Sequence, residues 1–173
     1  MDDLRRYIRD VPDFPRKGIV FKDITPLLND AQAFARAVEL MGQRAPRPGG
    51  IVAIESRGFV FGAALALHWR VPLVLARKFG KLPGQTVRQV YSLEYGEDTL
   101  ELHADALEPG QRIVVVDDLL ATGGTALAAV RLVEQLGAKI VGTVFLIELT
   151  GLGGRERLGG YPVESLLQYE VHE

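Results

Sequence analysis

The stretch Ile113-Val-Val-Val-Asp-Asp-Leu-Leu-Ala-Thr-Gly-Gly-Thr125 decides how this chain folds. Its first four residues are apolar without alternation, the pattern of a short strand buried on both faces. Two carboxylates follow at the strand's carboxyl edge, where open α/β sheets bind ligands. Carboxylates only accept hydrogen bonds, which suits a pair of ribose hydroxyls. Gly123 and Gly124 allow a tight turn whose N–H groups point inward, and a helix expected over Thr125–Leu136 turns its positive end to the same spot. Thr122 and Thr125 add hydroxyl donors. Ala126, Ala129, Val130, Val133 and Leu136 share one helix face, and Gly137 stands just past the end. The unit points to a phosphorylated ribose.

Strand and helix signals alternate on either side of it. Ala31–Met41 reads as a helix capped by Asp30, with Phe34, Ala37, Val38 and Met41 on one face. Ile51–Ile54, Pro72–Ala76 and Ile140–Ile147 read as strands. Gly58–Trp69 has helical length and is apolar nearly all round, so a buried helix is expected. The alternation implies an α/β fold with a mostly parallel central sheet flanked by helices. Lys81–Asp98 interrupts it with Pro83, Gly84, Gly96 and many polar residues, and reads as a long excursion flanked by extended segments, of the kind that forms lids.

Composition narrows the possibilities. A length of 173 residues without repeats or linkers suits one domain. A net charge of -2 gives no electrostatic case for nucleic acid or an anionic membrane as partner. The absence of cysteine excludes disulfides, thiolate metal sites and cysteine nucleophiles. Met1–Asp10 has no apolar stretch and does not read as a signal peptide, so a cytoplasmic location is expected. His68, His103 and His172 match no metal spacing. The acidic strand end resembles that of a nucleotide triphosphatase, but no G-x-x-x-x-G-K-[ST] loop accompanies it, and G-x-G-x-x-G is absent too.

The string Val114–Thr125 is similar to the phosphoribosyl-pyrophosphate motif of type I phosphoribosyltransferases. Phe14-Pro15, Gly18–Ile24, Glu55–Phe59, Arg77-Lys78, Gly80–Gly84, Tyr91–Gly96 and Glu148–Thr150 resemble segments of the adenine-using branch of that family. The resemblance implies a type I phosphoribosyltransferase-like fold with a small base-binding hood (residues 1–30) and a flexible lid loop (residues 81–98). It implies transfer of the 5-phosphoribosyl group from phosphoribosyl pyrophosphate to adenine, with Mg2+ carried mainly by that substrate, in a homodimer.

Roles follow from the same resemblance. Asp117 and Asp118 would anchor the ribose hydroxyls, and Ala121, Thr122, Gly123, Gly124 and Thr125 would hold the 5-phosphate. Ser56, Arg57, Arg77, Lys78 and Lys81 would meet pyrophosphate, with Arg57 also catalytic and the peptide after Glu55 turned inward. Phe21 and Leu149 would sandwich adenine, while main-chain groups of Val20 and Lys22 read its edge. Many relatives carry Arg in place of Lys22, a change that matters little if the main chain does the reading. Hypoxanthine-guanine enzymes carry an acid where this chain has Ala121. The proton chemistry is therefore expected of Glu94 as general acid, under a lid closed with Tyr95. The alternatives are a transferase for another purine, such as hypoxanthine, guanine or xanthine, and a non-catalytic purine-sensing regulator.

Overall fold

The strand expected over Ile113–Val116 runs further, because its pairing continues on both sides. The structure, a computed structural model, describes residues 2–93 and 96–171. In chain order the elements are α1 (Asp2–Arg5), β1 (Arg9–Pro12), β2 (Val20–Asp23), α2 (Thr25–Leu28), α3 (Ala31–Gly42), β3 (Gly50–Ile54), α4 (Arg57–Trp69), β4 (Leu73–Lys78), β5 (Thr86–Ser92), β6 (Glu97–His103), β7 (Arg112–Leu120), α5 (Gly124–Gln135), β8 (Lys139–Thr150), α6 (Gly154–Arg157) and β9 (Val163–Glu170). Seven strands form one sheet in the order β5-β6-β4-β3-β7-β8-β9, and β1 and β2 form a separate pair. β3, β4, β7, β8 and β9 are parallel, whereas β5 and β6 are antiparallel. This is the fold class expected, a mostly parallel sheet between helices.

The apolar runs show why both faces are covered. Along β3, Val52 and Ile54 face one core layer and Ile51 and Ala53 the other; Ile113 and Val115 of β7 share the first, Val114 and Val116 the second. A strand buried on both sides has no polar face to alternate. The first layer is closed by α5, the second by α3 and α4. Asp30 caps α3 as expected, accepting from Ala33 N–H at 2.9 Å. Past α5, Gly137 adopts φ +81°; it donates to Glu134 O and Ala138 to Val133 O, a Schellman ending. Close approach of α4 to β3 requires Gly62, where a methyl group would lie 2.4 Å from Cβ of Ala53.

Two expectations are corrected here. The Lys81–Asp98 excursion is not a loop throughout: Thr86–Ser92 pairs antiparallel with Glu97–His103, Tyr91 against Asp98 and Ser92 against Glu97. Its polar residues face water from an edge strand, and Tyr91, Leu100 and Leu102 face the core. Nor is α4 buried all round. Phe61, Leu65 and Trp69 are buried, but Val60 and Leu67 are exposed, the latter at 80%, because only one side meets the sheet and α3.

β3 passes the chain to β4 on one side while β7 lies on its other side. This is a topological switch point, where the loops after β3 and β7 diverge and leave a crevice. No helix among the described residues is long and apolar enough to cross a membrane.

Candidate active site

A crevice of about 240 Å³ opens at that switch point, lined by Arg57 and the run from Asp117 to Ala126. The loop after β7 is shaped by its glycines. Gly123 holds φ +82°, and a methyl group on it would come within 2.8 Å of Gly154 O. Gly124 begins α5, so the first N–H groups of the helix lack intrahelical partners at the crevice. A methyl group there would meet Ser92 O at 3.3 Å, which places the end of β5 against this loop.

The two acids stand within β7 rather than after it, because β8 pairing continues from Asp117 opposite Phe145 to Leu120 opposite Glu148. Asp117 packs against the first turn of α4, where a methyl on Gly58 would lie 2.8 Å from its Oδ1. That oxygen accepts the Asp118 N–H at 2.8 Å. Burial, and then the charge of Asp118, push the Asp117 carboxyl well above the usual range. Asp118 is 5% exposed, and its Oδ2 lies 2.6 Å from Arg57 Nε, an ion pair without hydrogen-bond alignment.

Arg57 also reaches outward. Its guanidinium stacks on Phe21 at 4.8 Å and donates to Lys22 O at 3.4 Å. It thereby joins the β1–β2 hood to the crevice. Phe21 meets Phe14 edge-on at 5.2 Å. Val20 is half-exposed beside it, and Leu149, half-buried, ends β8. The Lys22 ammonium does not point to open space: it pairs with Asp10 at 2.7 Å and lies 4.1 Å from the Tyr169 ring centroid.

A cradle of backbone donors and two acids thus share a single crevice, and one arginine links it to the aromatic hood. Residues 29–166 match the model of the phosphoribosyl transferase domain. The adenine phosphoribosyltransferase of Syntrophotalea carbinolica is 56% identical over 171 residues, covering 98% of this chain and 100% of that one. The crystal structure of adenine phosphoribosyltransferase from Thermoanaerobacter pseudethanolicus superposes with a TM-score of 0.94 at 50% identity, covering 97% of this chain and 99% of that one. That of Saccharomyces cerevisiae, complexed with an imino-altritol bisphosphate and adenine, gives 0.89 at 40% identity, covering 96% and 97%. The chain belongs to the phosphoribosyl transferase family.

The expected pyrophosphate cations of this phosphoribosyl transferase are placed unequally. Ser56 is exposed at the start of α4, after a cis Glu55–Ser56 peptide. Lys81 is exposed as well. Arg77 and Lys78 both pair with carboxylates. Arg77 pairs with Glu55 at 3.1 Å, and the Lys78 N–H donates to the same carboxylate at 2.6 Å. Burial opposes ionisation of Glu55, but these contacts outweigh it and hold its carboxyl below the usual range. The Lys78 ammonium pairs with Asp98 and donates to Tyr91 Oη at 2.8 Å. Both cations therefore brace β4 against β3 and the hairpin. Glu94 and Tyr95 lie outside the described residues.

Other residues here carry no local signal in the sequence. Glu148, 4% exposed, is gripped by Arg155 at 2.9 and 2.6 Å and by Ser165 at 2.6 Å. Tyr169 stands opposite Leu149 in β9, a strand that sequence reasoning does not find. Only strand pairing brings these groups beside one another.

Proposed function

We propose that this phosphoribosyl transferase moves the 5-phosphoribosyl group of phosphoribosyl pyrophosphate to adenine, forming AMP and pyrophosphate in purine salvage. The observation that carries the reading is the crevice itself, where the phosphate cradle, the two acids and the arginine stacked on Phe21 meet. Relatives named for the adenine reaction at 50–56% identity support the choice of base.

Ala121–Thr125 bind the 5-phosphate through backbone N–H groups at the start of α5, helped by the hydroxyls of Thr122 and Thr125. Asp117 and Asp118 accept the ribose hydroxyls. Asp118 Oδ2, buried without an aligned donor, has acceptor capacity to spare. The C1–O bond to pyrophosphate breaks, pyrophosphate leaves with the electron pair, and an imidazole nitrogen of adenine bonds to C1. Negative potential from the two acids favours the oxocarbenium-like sugar. Ser56, Arg57 and Lys81 receive the leaving group, with Arg57 also catalytic. Arg77 and Lys78 contribute through the backbone they brace.

Magnesium arrives with phosphoribosyl pyrophosphate. It would be held mainly by that substrate's own oxygens. When bound, it would supply positive charge to the departing pyrophosphate.

Adenine lies between Phe21 and Leu149, its edge read by the main chain of Val20 and Lys22. Lys22 suits this role because its side chain is already committed to Asp10 and Tyr169. Glu94 handles the imidazole proton, accepting it in the synthetic direction and returning it as a general acid in reverse. Tyr95 helps to close the lid. The enzyme works in the cytoplasm as a homodimer. Val60 and Leu67 of α4, with Leu73 and Leu75 of β4, form the exposed apolar surface a second copy would cover.

Incubating the protein with labelled phosphoribosyl pyrophosphate and adenine, hypoxanthine, guanine or xanthine tests the reading. Labelled AMP is expected from adenine alone. A 6-oxopurine nucleotide as main product, or no product, overturns it.

A further inference from the structure

We infer that Tyr169 is a positioning residue for the base pocket, clamping β2 against the end of β8; the inference rests on the adenine reading above. The hood strands β1 and β2 form a two-stranded pair outside the main sheet. Such a pair is marginal by itself and needs external anchors to keep one position. The main chain of β2 can read a base edge only if its distance from Leu149 is constant.

The anchors are few and identifiable. Arg57 holds Phe21 and Lys22 O from the crevice side. On the far side Tyr169 does the work. It is the parallel-strand partner of Leu149, so the two side chains stand next to each other on one face of the sheet. The Lys22 ammonium lies 4.1 Å from its ring centroid, and Arg5 Cζ lies at 4.7 Å. Lys22 is only 10% exposed, with Asp10 supplying its countercharge. A cation over a ring, with its own side chain mostly covered, is a favourable contact. Tyr169 therefore fixes the side chain of the residue whose main chain faces adenine, while its neighbour Leu149 forms the opposite wall. Arg5 also donates to Gln168 O at 2.8 Å, tying α1 to the same strand.

Steady-state kinetics on the full chain separate this role from general stability. Tyr169→Leu is expected to raise the adenine KM about tenfold, with kcat and the KM for phosphoribosyl pyrophosphate within about twofold. Tyr169→Phe keeps the ring and should stay within about twofold throughout. Lys22→Met, which breaks the same contact from the hood, should match Tyr169→Leu, and the double variant should add little to either. If Tyr169→Leu fails to fold, Lys22→Met decides alone. An unchanged adenine KM in the folded variants, or an equal rise in both KM values, overturns the inference. Phe21→Ala is the control: if it leaves the adenine KM unchanged, the base-pocket reading is at fault rather than the clamp.

Discussion

The phosphate cradle and the base hood are built in opposite ways. The cradle is one continuous segment: β7, its loop and the start of α5 follow each other from Arg112 to Gln135. Its strand is buried in the centre of the sheet, and its turn is forced by Gly123 at φ +82° against Gly154. The hood is held from distant places: Phe14 meets Phe21, Arg57 of α4 stacks on Phe21, and Tyr169 of β9 lies under Lys22. The cradle owes its shape to covalent order and core packing, the hood to a few surface contacts. Anion binding can be hard-wired in this way, whereas the selectivity for a base depends on how separate elements meet.

Variants that hit one half should spare the other. The largest effect is expected at the cradle. Gly123→Ala forces a side chain into positive φ and into the Gly154 carbonyl, so calorimetry should show phosphoribosyl pyrophosphate affinity falling more than about a hundredfold. An unaltered affinity would break the claim that this turn is rigidly specified. Next is Asp117→Asn. Loss of a charged acceptor should weaken the same substrate by about 10- to 100-fold. The unliganded protein should meanwhile gain in Tm at neutral pH. The sign follows from the raised carboxyl: its folded form favours the proton, so its contribution is full at low pH and lost as pH rises through the shifted value. The Tm gain should therefore vanish toward pH 4, and a loss of stability at pH 7–8 would refute the burial argument.

Between cradle and hood stands the proton chemistry. Glu94→Gln is expected to lower kcat at least about tenfold, with little change in phosphoribosyl pyrophosphate affinity. A normal rate would remove Glu94 from the mechanism. The smallest effect belongs to the hood's own scaffold. Hydrogen bonds from Thr25 N–H and hydroxyl, and then Arg9, hold Asp23 down to about 2. A depressed carboxyl stabilises above its unfolded value and loses that contribution as pH falls through the folded one. Asp23→Asn should remove a slight loss of stability between about pH 4 and pH 2, seen in acid unfolding by circular dichroism, without touching substrate affinity at pH 7.

How much of this was legible follows the same division. The β7–α5 unit, the Asp30 cap, the Gly137 stop and the strand Ile51–Ile54 all have signals confined to a few neighbouring residues, and all are present. Legibility failed where partners set the outcome. The Asp pair was expected beyond the strand, yet β8 extends the pairing past it. Lys81–Asp98 looked like a loop because an edge hairpin shows water a polar face. Leu67 of α4 looked buried because apolar content says nothing about which side of a helix has a neighbour.

The sequence by itself determined the chemistry on offer: acceptor-only carboxylates, a glycine turn before a helix, and no acid at position 121. These are properties of residue types and of short covalent spacing. Tertiary structure alone decided which partners the cations take. Glu55 occupies Arg77, Asp98 and Tyr91 occupy Lys78, and Asp10 and Tyr169 occupy Lys22, while Arg57 bridges Asp118 and Phe21. A charged side chain is recruited by whichever countercharge the fold brings within a few ångströms, and strand order rather than sequence distance sets that separation.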